Sequence, residues 1–506
     1  MHNNTTFLNS PQGRTLILII LALGITLVTV VLAGNQILFV LLVIMLSLAG
    51  LVFLARPDNI TLAVLFVIYT NAAVIAVKLH SLPFIIGAST SLLLAIPFVF
   101  KLVFQHQKPI ISLNLILLLG FLFVQLLGTM FSRDVNIATG NLISFISEGI
   151  ILYFLIVNNV RTPEMMRRVI WTLLIAGTFL GGLSLYQQIT GTFSNNYWGF
   201  AQANGVSFGT GVENLQGVVQ QNRVDGPLGE KNYYAQMMLV LIPLGLFRLQ
   251  GEGSKILRWL AGIATMAIFI GIVLTFSRGV VAGFAFMLLV MILMRYIKVQ
   301  QVILVVVAVF LLFRLFPQFA VRLSSLQSVF TIAEADSAGV SGTDTSTQGR
   351  IGEMKSAWLV FLDYPFIGVG PGMFKYYYPE YIDRVALAGN HTGTREAHDI
   401  FLGIAADHGL IGLSLFLFMV IGSLRNLEKV RKRTMQTHPD ISNMAAAFFM
   451  AIISYLAAGV FLTLAFERYF WLILGLADAL FVIVMRSESF DSSEPLGSEA
   501  LPNSVR

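Results

Sequence analysis

The sequence contains no cysteine and few charged residues, and each shortage excludes a class of protein. Without cysteine the chain forms no disulfide, no thiolate nucleophile and no zinc–thiolate site. Charged residues make up 11% of the 506 positions, whereas a soluble domain carries about 25%. So low a share does not cover a globule in water, but it suits a helix bundle that is surrounded by lipid.

Long apolar runs fill the chain instead. They predict about fourteen transmembrane helices, because about 20 apolar residues are needed to cross the hydrocarbon core. The first run follows Arg14 without a small-residue cleavage pattern, so we interpret it as a retained helix rather than a signal peptide. The predicted spans lie near residues 15–33, 36–54, 60–77, 83–100, 110–131, 138–160, 168–188, 233–248, 257–276, 280–295, 300–316, 409–424, 442–463 and 469–485.

The basic residues predict how the chain is threaded through the membrane. Lys and Arg are enriched in cytoplasmic loops, and most of the 32 basic residues fall on that side if both termini are cytoplasmic. A shift by one helix would put the run from Arg425 to Arg433 outside, which the rule disfavours. The predicted segments are helices 1–7 (1–188), a first extracytoplasmic loop (189–232), helices 8–11 (233–316), a large extracytoplasmic loop (317–408), helices 12–14 (409–485) and a disordered cytoplasmic tail (486–506).

We expect the chemistry in the two long loops, since loops beyond about 15 residues are uncommon unless they are functional or disordered. The second loop opens with a Ser/Thr/Gly-rich tether, Asp336 to Gly349, followed by an amphipathic helix, Arg350 to Leu362. Its net charge is −4, from six basic and ten acidic residues, which argues against nucleic-acid binding. The predicted apolar face of the helix consists of Met354, Ala357, Trp358 and Phe361.

Two arginines near predicted helix ends are candidate anchors for a phosphate. Arg278 lies between two helices at the external face, and its guanidinium offers a planar set of donors that keeps its charge. An arginine that reaches the lipid headgroups is an equally good interpretation. Arg223 begins a glycine-containing loop that leads into a helix, whose N-terminus attracts anions. Pairing with Asp225 or Glu230 is the commoner arrangement for a single loop arginine.

His398 is the candidate general base. Histidine exchanges a proton near neutral pH, so it suits the deprotonation of an acceptor hydroxyl. For an isolated loop histidine, a structural hydrogen bond is the commoner role. A metal site with His391, Glu396 and Asp399 is a third interpretation, but the spacing matches no metal motif.

Two acids, Glu148 and Asp478, fall within predicted spans. As functional residues they would relay protons in a transporter. As structural residues they would pair with polar groups inside the bundle and fix its packing, which is the interpretation we favour.

Four short blocks occur in a fixed order in the C-terminal half. They are Arg223…Gly226…Asn232…Ala235, then Ser277-Arg278-Gly279, then Arg350 through Trp358 with Pro365, Gly368 and Gly370, and lastly Ala397-His398-Asp399…Leu402…Asp407-His-Gly409-Leu-Ile-Gly412. Together, over residues 223–412, they resemble the O-antigen ligase and polysaccharide polymerase membrane proteins, which include lipopolysaccharide ligases and Wzy-type polymerases. The N-terminal half is similar only as an array of helices.

The blocks depart from the family's pattern at three positions. Asp399 stands where the family often has Asn, Asp407 where it often has Glu, and Lys231 where it often has Pro. No candidate catalytic group is lost, and Asp399 is a candidate for raising the basicity of His398 or changing the choice of acceptor.

The resemblance implies an all-α, GT-C-like integral membrane glycosyltransferase of the bacterial inner membrane, with its site on the periplasmic face. It implies a metal-independent, inverting reaction without a cofactor. The donor would be an undecaprenyl-diphosphate-linked oligosaccharide, and the acceptor a glycan or the lipid A core.

The resemblance also implies roles for individual residues. His398 would act as the base, with Arg223 and Arg278 as the other catalytic residues. Both arginines, with Arg350, would bind the donor diphosphate. The expected supporting residues are Asn232, Glu396, Asp399 and Asp407.

Two alternatives remain open from the sequence. A polymerase joins one lipid-linked glycan to another, whereas a ligase moves it to a different acceptor; the long second loop and the high helix count favour a polymerase slightly. The competing class is a multi-span transporter or a flippase for lipid-linked glycans that uses Glu148 and Asp478, which would require charges at a midplane cavity.

Overall fold

The computed structural model describes residues 56–83, 90–208, 219–297, 345–385, 393–463 and 467–491. The predicted spans near 15–33, 36–54 and 300–316 lie outside these residues, as do most of the tether and the end of the tail. The helices are α1 (Pro57–Tyr69), α2 (Ala72–His80), α3 (Ala95–Val103), α4 (Leu113–Met130), α5 (Val135–Phe145), α6 (Leu152–Asn159), α7 (Pro163–Thr190), α8 (Lys231–Leu239), α9 (Leu241–Gly251), α10 (Lys255–Val273), α11 (Arg278–Leu293), α12 (Thr345–Asp363), α13 (Phe374–Ile382), α14 (Ile400–Thr434), α15 (Pro439–Gly459) and α16 (Glu467–Asp491).

Seven described helices are long and apolar enough to cross a membrane, or eight if the bent pair α1–α2 forms one span. They are α4, α5 joined to α6 through a π-helical turn (Ile146–Ile151), α7, α10, α14, α15 and α16. The chain is therefore a helical membrane protein, as the sequence predicts. The number fourteen is not confirmed.

Two predicted spans are broken. The pair α1–α2 bends by 53° where Asn71 adopts a left-handed backbone conformation, with φ of 59°. The predicted span 233–248 divides into α8 and α9 at Val240. Pro243 has no N–H for the carbonyl of Leu239, so a continuous helix would lose a hydrogen bond there.

The first long loop contains an antiparallel strand pair, which the all-α prediction did not include. Strand β1 (Gln202–Phe208) pairs with β2 (Val219–Gly226), and Asn204 lies opposite Arg223. The backbone of β2 also reaches the bundle, where the N–H of Val224 donates to the carbonyl of Leu274. The pair therefore connects the loop to the turn that follows α10.

Helix α14 starts nine residues earlier than predicted and is broken at Gly409 (φ 64°, ψ −167°). A glycine-rich turn, residues 365–372, fills the break. The backbone N–H groups of Val369 and Gly370 donate to carbonyls before the break, and the carbonyls of Pro365 and Phe366 accept from N–H groups after it. This exchange satisfies the backbone groups that the break exposes.

Most buried apolar residues form one core cluster that runs through α4, α6, α7, α8, α9, α14, α15 and α16. A second, smaller cluster joins α12 and α13 to the start of α14, with Ala357, Phe374, Tyr378 and Ala406 among its members. The described part of the predicted large loop, residues 345–385 and 393–408, therefore forms a packed helical cap on one end of the bundle.

Candidate functional site

Arg223 holds the turn that carries Arg278. Its side chain is 3% exposed, and it donates from Nε to the carbonyl of Thr275 (2.7 Å) and from a terminal nitrogen to the carbonyl of Phe276 (3.0 Å). Phe276 has a left-handed backbone, with φ of 52°. Two charge-assisted hydrogen bonds therefore stabilise a turn that its own residues would disfavour.

Arg278 is the first residue of α11, and a second set of contacts fixes the turn from the side of α8. Ser277 donates its hydroxyl to the side-chain oxygen of Asn232 (2.8 Å). Asn232 in turn donates to the Glu230 carboxylate (3.0 Å), which also caps α8 by accepting two backbone N–H groups. We call the residues Arg223, Asn232, Ser277 and Arg278 the arginine turn.

His398 is held by a buried glutamate that the sequence did not single out. Its Nδ1 lies 2.9 Å from a carboxylate oxygen of Glu353 and 3.1 Å from the backbone carbonyl of Glu396. The second oxygen of Glu353 pairs with Arg395 at 3.2 Å. An N–H on Nδ1 can donate to the Glu396 carbonyl with the Glu353 carboxylate beside it, so the neutral ring keeps its lone pair on Nε2.

The surroundings of His398 adjust its basicity. Burial lowers its pKa, but the hydrogen bond and charge of Glu353 more than offset this, so the pKa is raised above its ordinary value. The positive charge of Arg350 acts in the opposite direction. His398 also has a left-handed backbone, with φ of 49°, a conformation that costs free energy and is retained where the surroundings require it.

Tyr233 follows Asn232 of the arginine turn and lies near Glu396, which precedes His398 by two residues. The Tyr233 hydroxyl lies 2.6 Å from that of Thr463, and the charges of Glu230, Glu396 and Arg350 act on it. Arg350 acts on His398 as well. Tyr233 of α8 therefore connects the arginine turn with Thr463, which follows α15, and lies near charges of the second long loop.

The predicted supporting residues have structural partners. Glu396 lies 3.8 Å from Lys375. Asp399 caps α14 by accepting from the backbone N–H of Leu402 at 2.7 Å, which is a different contact from the expected one with His398. Asp407 accepts from the backbone N–H groups of Gly372 and Phe374, and so fastens the glycine-rich turn to α14.

Helix α12 covers the predicted helix Arg350 to Leu362, but its buried side differs from the predicted apolar face. The buried residues are Glu353, Ser356, Ala357 and Val360, while Trp358 is 49% exposed. Of the predicted apolar face, Ala357 is buried and Met354 and Phe361 are half-buried, while the ion pairs of Glu353 with Arg395 and His398 lie on the inward side of the helix.

The two acids within the spans have partners inside the bundle. Glu148 pairs with Arg468 at 3.1 Å. Asp478 accepts hydrogen bonds from the Tyr153 hydroxyl and from the Asn114 amide. These contacts are those of the structural interpretation.

Among the described residues, no group of three or more Asp, Glu or His side chains is arranged to hold a metal ion. His391, which the metal interpretation included, lies outside those residues.

Comparison with known proteins gives a match to one family model. No curated protein matched the chain. A family model, Wzy_C, described as O-antigen ligase, matches residues 263–417. The matched stretch includes Arg278, Arg350 and His398, whereas Arg223 and Asn232 precede it. Over residues 263–417 the chain is therefore similar to the O-antigen ligase family, which agrees with the resemblance seen in the sequence.

Proposed function

We propose that the protein transfers a glycan from an undecaprenyl-diphosphate-linked donor to an acceptor hydroxyl, in an inverting reaction that needs no metal. One observation carries the proposal. The observation is an imidazole that lies beside a buried carboxylate through Nδ1, together with a turn, fixed by a buried arginine, that presents Arg278 at a helix start.

His398 is the proposed general base. Its Nε2 accepts the proton of the acceptor hydroxyl as the oxygen attacks the anomeric carbon. The bond between that carbon and the diphosphate oxygen breaks, and the leaving undecaprenyl diphosphate takes the bonding electron pair. Glu353 is the proposed positioning residue, because it fixes the ring and stabilises the imidazolium that forms.

The three arginines have two different proposed roles. We propose that Arg278 and Arg350 bind the donor diphosphate, where guanidinium groups stabilise the growing negative charge without a metal. For Arg223 we propose an indirect role, since it is buried and donates to the two carbonyls of the turn before Arg278. It would keep Arg278 in place rather than contact the diphosphate.

The reaction can be tested in vitro. The purified protein in lipid nanodiscs is incubated with the undecaprenyl-diphosphate-linked oligosaccharide of its host, and release of undecaprenyl diphosphate is measured with and without a chelator. We expect release in both samples. No release, or release only without the chelator, would overturn the proposed reaction or its metal independence, respectively.

Polymerase and ligase differ in the product that accumulates in a deletion strain. Loss of a polymerase leaves single repeat units on the final acceptor, and loss of a ligase leaves unattached long chains. Gel electrophoresis of surface glycans separates the two, and we expect single repeat units, as the long second loop favours.

A further inference from the structure

A cavity of about 390 Å³ lies beside His398, inside the extracytoplasmic end of the bundle. Residues Glu396 and Ala397, which precede the histidine, form part of its wall. Thr463 forms another part, and its hydroxyl contacts Tyr233 near the arginine turn. The cavity therefore borders the reaction site, while neither Arg278 nor Arg350 is among its lining residues.

The charges in the cavity wall balance locally. Lys375 lies 3.8 Å from Glu396, and Arg468 lies 3.1 Å from Glu148. Each of the two cations therefore has a carboxylate of the same wall beside it. A diphosphate would have to compete with those carboxylates, so the wall does not suit a strong anion.

The rest of the wall is rich in groups that bind hydroxyls. Gln125, Asn141, Ser144 and Thr463 line it together with the rings of Phe121 and Phe374. Amides and hydroxyls that alternate with aromatic rings suit a neutral ligand with many hydroxyl groups and apolar ring faces. A sugar has this chemistry.

Buried polar atoms of the wall have no protein partner within the described part of the chain. They include the side-chain oxygen of Gln125, which is 2% exposed as a residue, and Nε of Arg468. Unpaired buried polar atoms are costly and rare. Both residues line the cavity but these two atoms are closed off from it, so a small rotation of each side chain would let a sugar hydroxyl donate to the Gln125 oxygen and accept from the Arg468 Nε–H.

We propose that this cavity binds the terminal sugar of the acceptor glycan, the sugar whose hydroxyl His398 deprotonates. This inference rests on the proposed function. The acceptor is favoured over the donor because the two residues before His398 line the cavity, whereas its two cations are paired with carboxylates of the same wall and so do not suit a diphosphate. Gln125 and Arg468 would then contribute to acceptor specificity.

The test uses the repeat-unit oligosaccharide released by mild acid from the host's lipid-linked glycan. This probe carries neither lipid nor diphosphate. Its affinity for the protein in nanodiscs is measured by saturation-transfer NMR titration for wild type, Gln125→Leu, Lys375→Met and Arg278→Ala. We expect binding to weaken at least tenfold in Gln125→Leu and Lys375→Met and to stay unchanged in Arg278→Ala.

Gln236→Leu is the matched control, because Gln236 is also a buried glutamine but donates to the carbonyl of Tyr455 and does not line the cavity. It should bind the probe like wild type. Unchanged binding in Gln125→Leu and Lys375→Met, or no binding to wild type, would overturn the assignment.

A parallel titration with undecaprenyl diphosphate distinguishes donor from acceptor. Weaker binding of this lipid in Gln125→Leu would mean that the cavity holds the donor, and the proposal would be wrong. Release of undecaprenyl diphosphate by wild type, combined with unaltered probe binding in the cavity variants, would reject this inference but leave the proposed function intact.

Discussion

Arg278 stands at the start of α11, and the contacts of Arg223 and Asn232 fix the turn before it. A group held in this way can stabilise charge on a leaving diphosphate without reorganisation. Loss of one such donor typically costs about 2.7–4 kcal/mol of the activation barrier. We therefore expect Arg278→Ala to lower the release of undecaprenyl diphosphate about 10²–10³-fold, with little change in the melting temperature.

Arg258→Ala is the control for that measurement. Arg258 is an exposed arginine near the start of α10 that donates to the backbone carbonyl of Glu252. The turn that carries Arg278 follows the opposite end of α10. Replacement of Arg258 should leave the release rate near wild type. Wild-type release by Arg278→Ala would remove Arg278 from the site.

Replacement of Glu353 tests the assignment of His398 as the base through the pH dependence of kcat/KM. Its hydrogen bond and charge raise the pKa of His398 against the effect of burial. The neutral ring is the active form, and it predominates only above this raised pKa. In Glu353→Gln the raising effect is lost, so the acidic limb of kcat/KM should move to lower pH. The maximal rate should also fall, by part of the 10²–10⁴-fold that a general base contributes.

The pH profile of undecaprenyl diphosphate release checks this expectation. Glu380→Gln serves as the control. Glu380 is an exposed glutamate of α13, on the same helical cap as Glu353, and it pairs with Arg133. A lower rate with an unmoved acidic limb would indicate that His398 is not the titrating group.

The sequence identifies individual candidate residues more readily than it identifies which residues contact each other. Arg278 and His398 attract attention because charged and titratable groups are scarce near the membrane. Glu353 does not, because it is one of ten acids in its loop and its meaning depends on a partner 45 positions later. Arg223 and Arg278 look alike in the sequence, and only the tertiary contacts give them different environments.

The break in α14 is the element that joins the cap to the bundle. Gly409 has φ of 64° and ψ of −167°, a region that is essentially restricted to glycine. A Cβ atom at this position would overlap the carbonyl group of Phe366. The chain from Ile400 to His408 therefore depends on the glycine-rich turn for its position, and with it His398.

We expect Gly409→Ala to destabilise the protein by about 1–3 kcal/mol from the backbone alone. Overlap with Phe366 adds to this cost. The melting temperature in detergent should fall, and the release of undecaprenyl diphosphate should fall with it because the helix that follows His398 shifts. Gly140→Ala is the control, since nothing lies within 4 Å of the added atom in α5. A Gly409→Ala protein with wild-type stability would contradict this account of the break.

Hydropathy predicts a helix correctly where its side chains are buried in lipid. It fails where hydrogen bonds to the backbone of another segment determine the structure. The apolar runs near 110–131 and 442–463 correspond to α4 and α15. The start of α14 was placed at Gly409, because the polar pair Asp407-His408 looks like a loop. In the structure the carboxylate of Asp407 accepts the N–H groups of the glycine-rich turn, a contact that hydropathy does not represent. The hairpin of the first loop was missed because its strands have few apolar residues.

The whole bundle has two chemically different ends. At one end, Asp440 at the start of α15 pairs with Arg167 of α7 and Arg248 of α9. These are residues that the threading places in the cytoplasm. The arginine turn and His398 lie at the opposite ends of α10 and α14. The orientation in the membrane stays a prediction, but the separation of basic anchors from the candidate site agrees with it.

Between the two ends lies Asp478, a residue for which an enzyme and a transporter have different requirements. Asp478 joins α16 to the Tyr153 hydroxyl of α6 and the Asn114 amide of α4, and Ser423 of α14 also accepts from Asn114 at 2.8 Å. Such a network fixes how four spans pack. A transporter would instead need this carboxylate to change its protonation state during each cycle.

We expect Asp478→Asn to retain glycan transfer close to the wild-type rate while it lowers the unfolding free energy by about 1–3 kcal/mol, the usual effect of weakening a buried hydrogen bond. Tyr153→Phe removes the hydroxyl from the same contact and should give a similar loss of stability with similar activity. Release of undecaprenyl diphosphate and the melting temperature are measured on the same preparations. If the folded Asp478→Asn protein is inactive while Tyr153→Phe is active, the carboxylate itself takes part in the cycle. In that case the proton-relay interpretation replaces the structural one, because the amide preserves the shape of the side chain but cannot carry the proton.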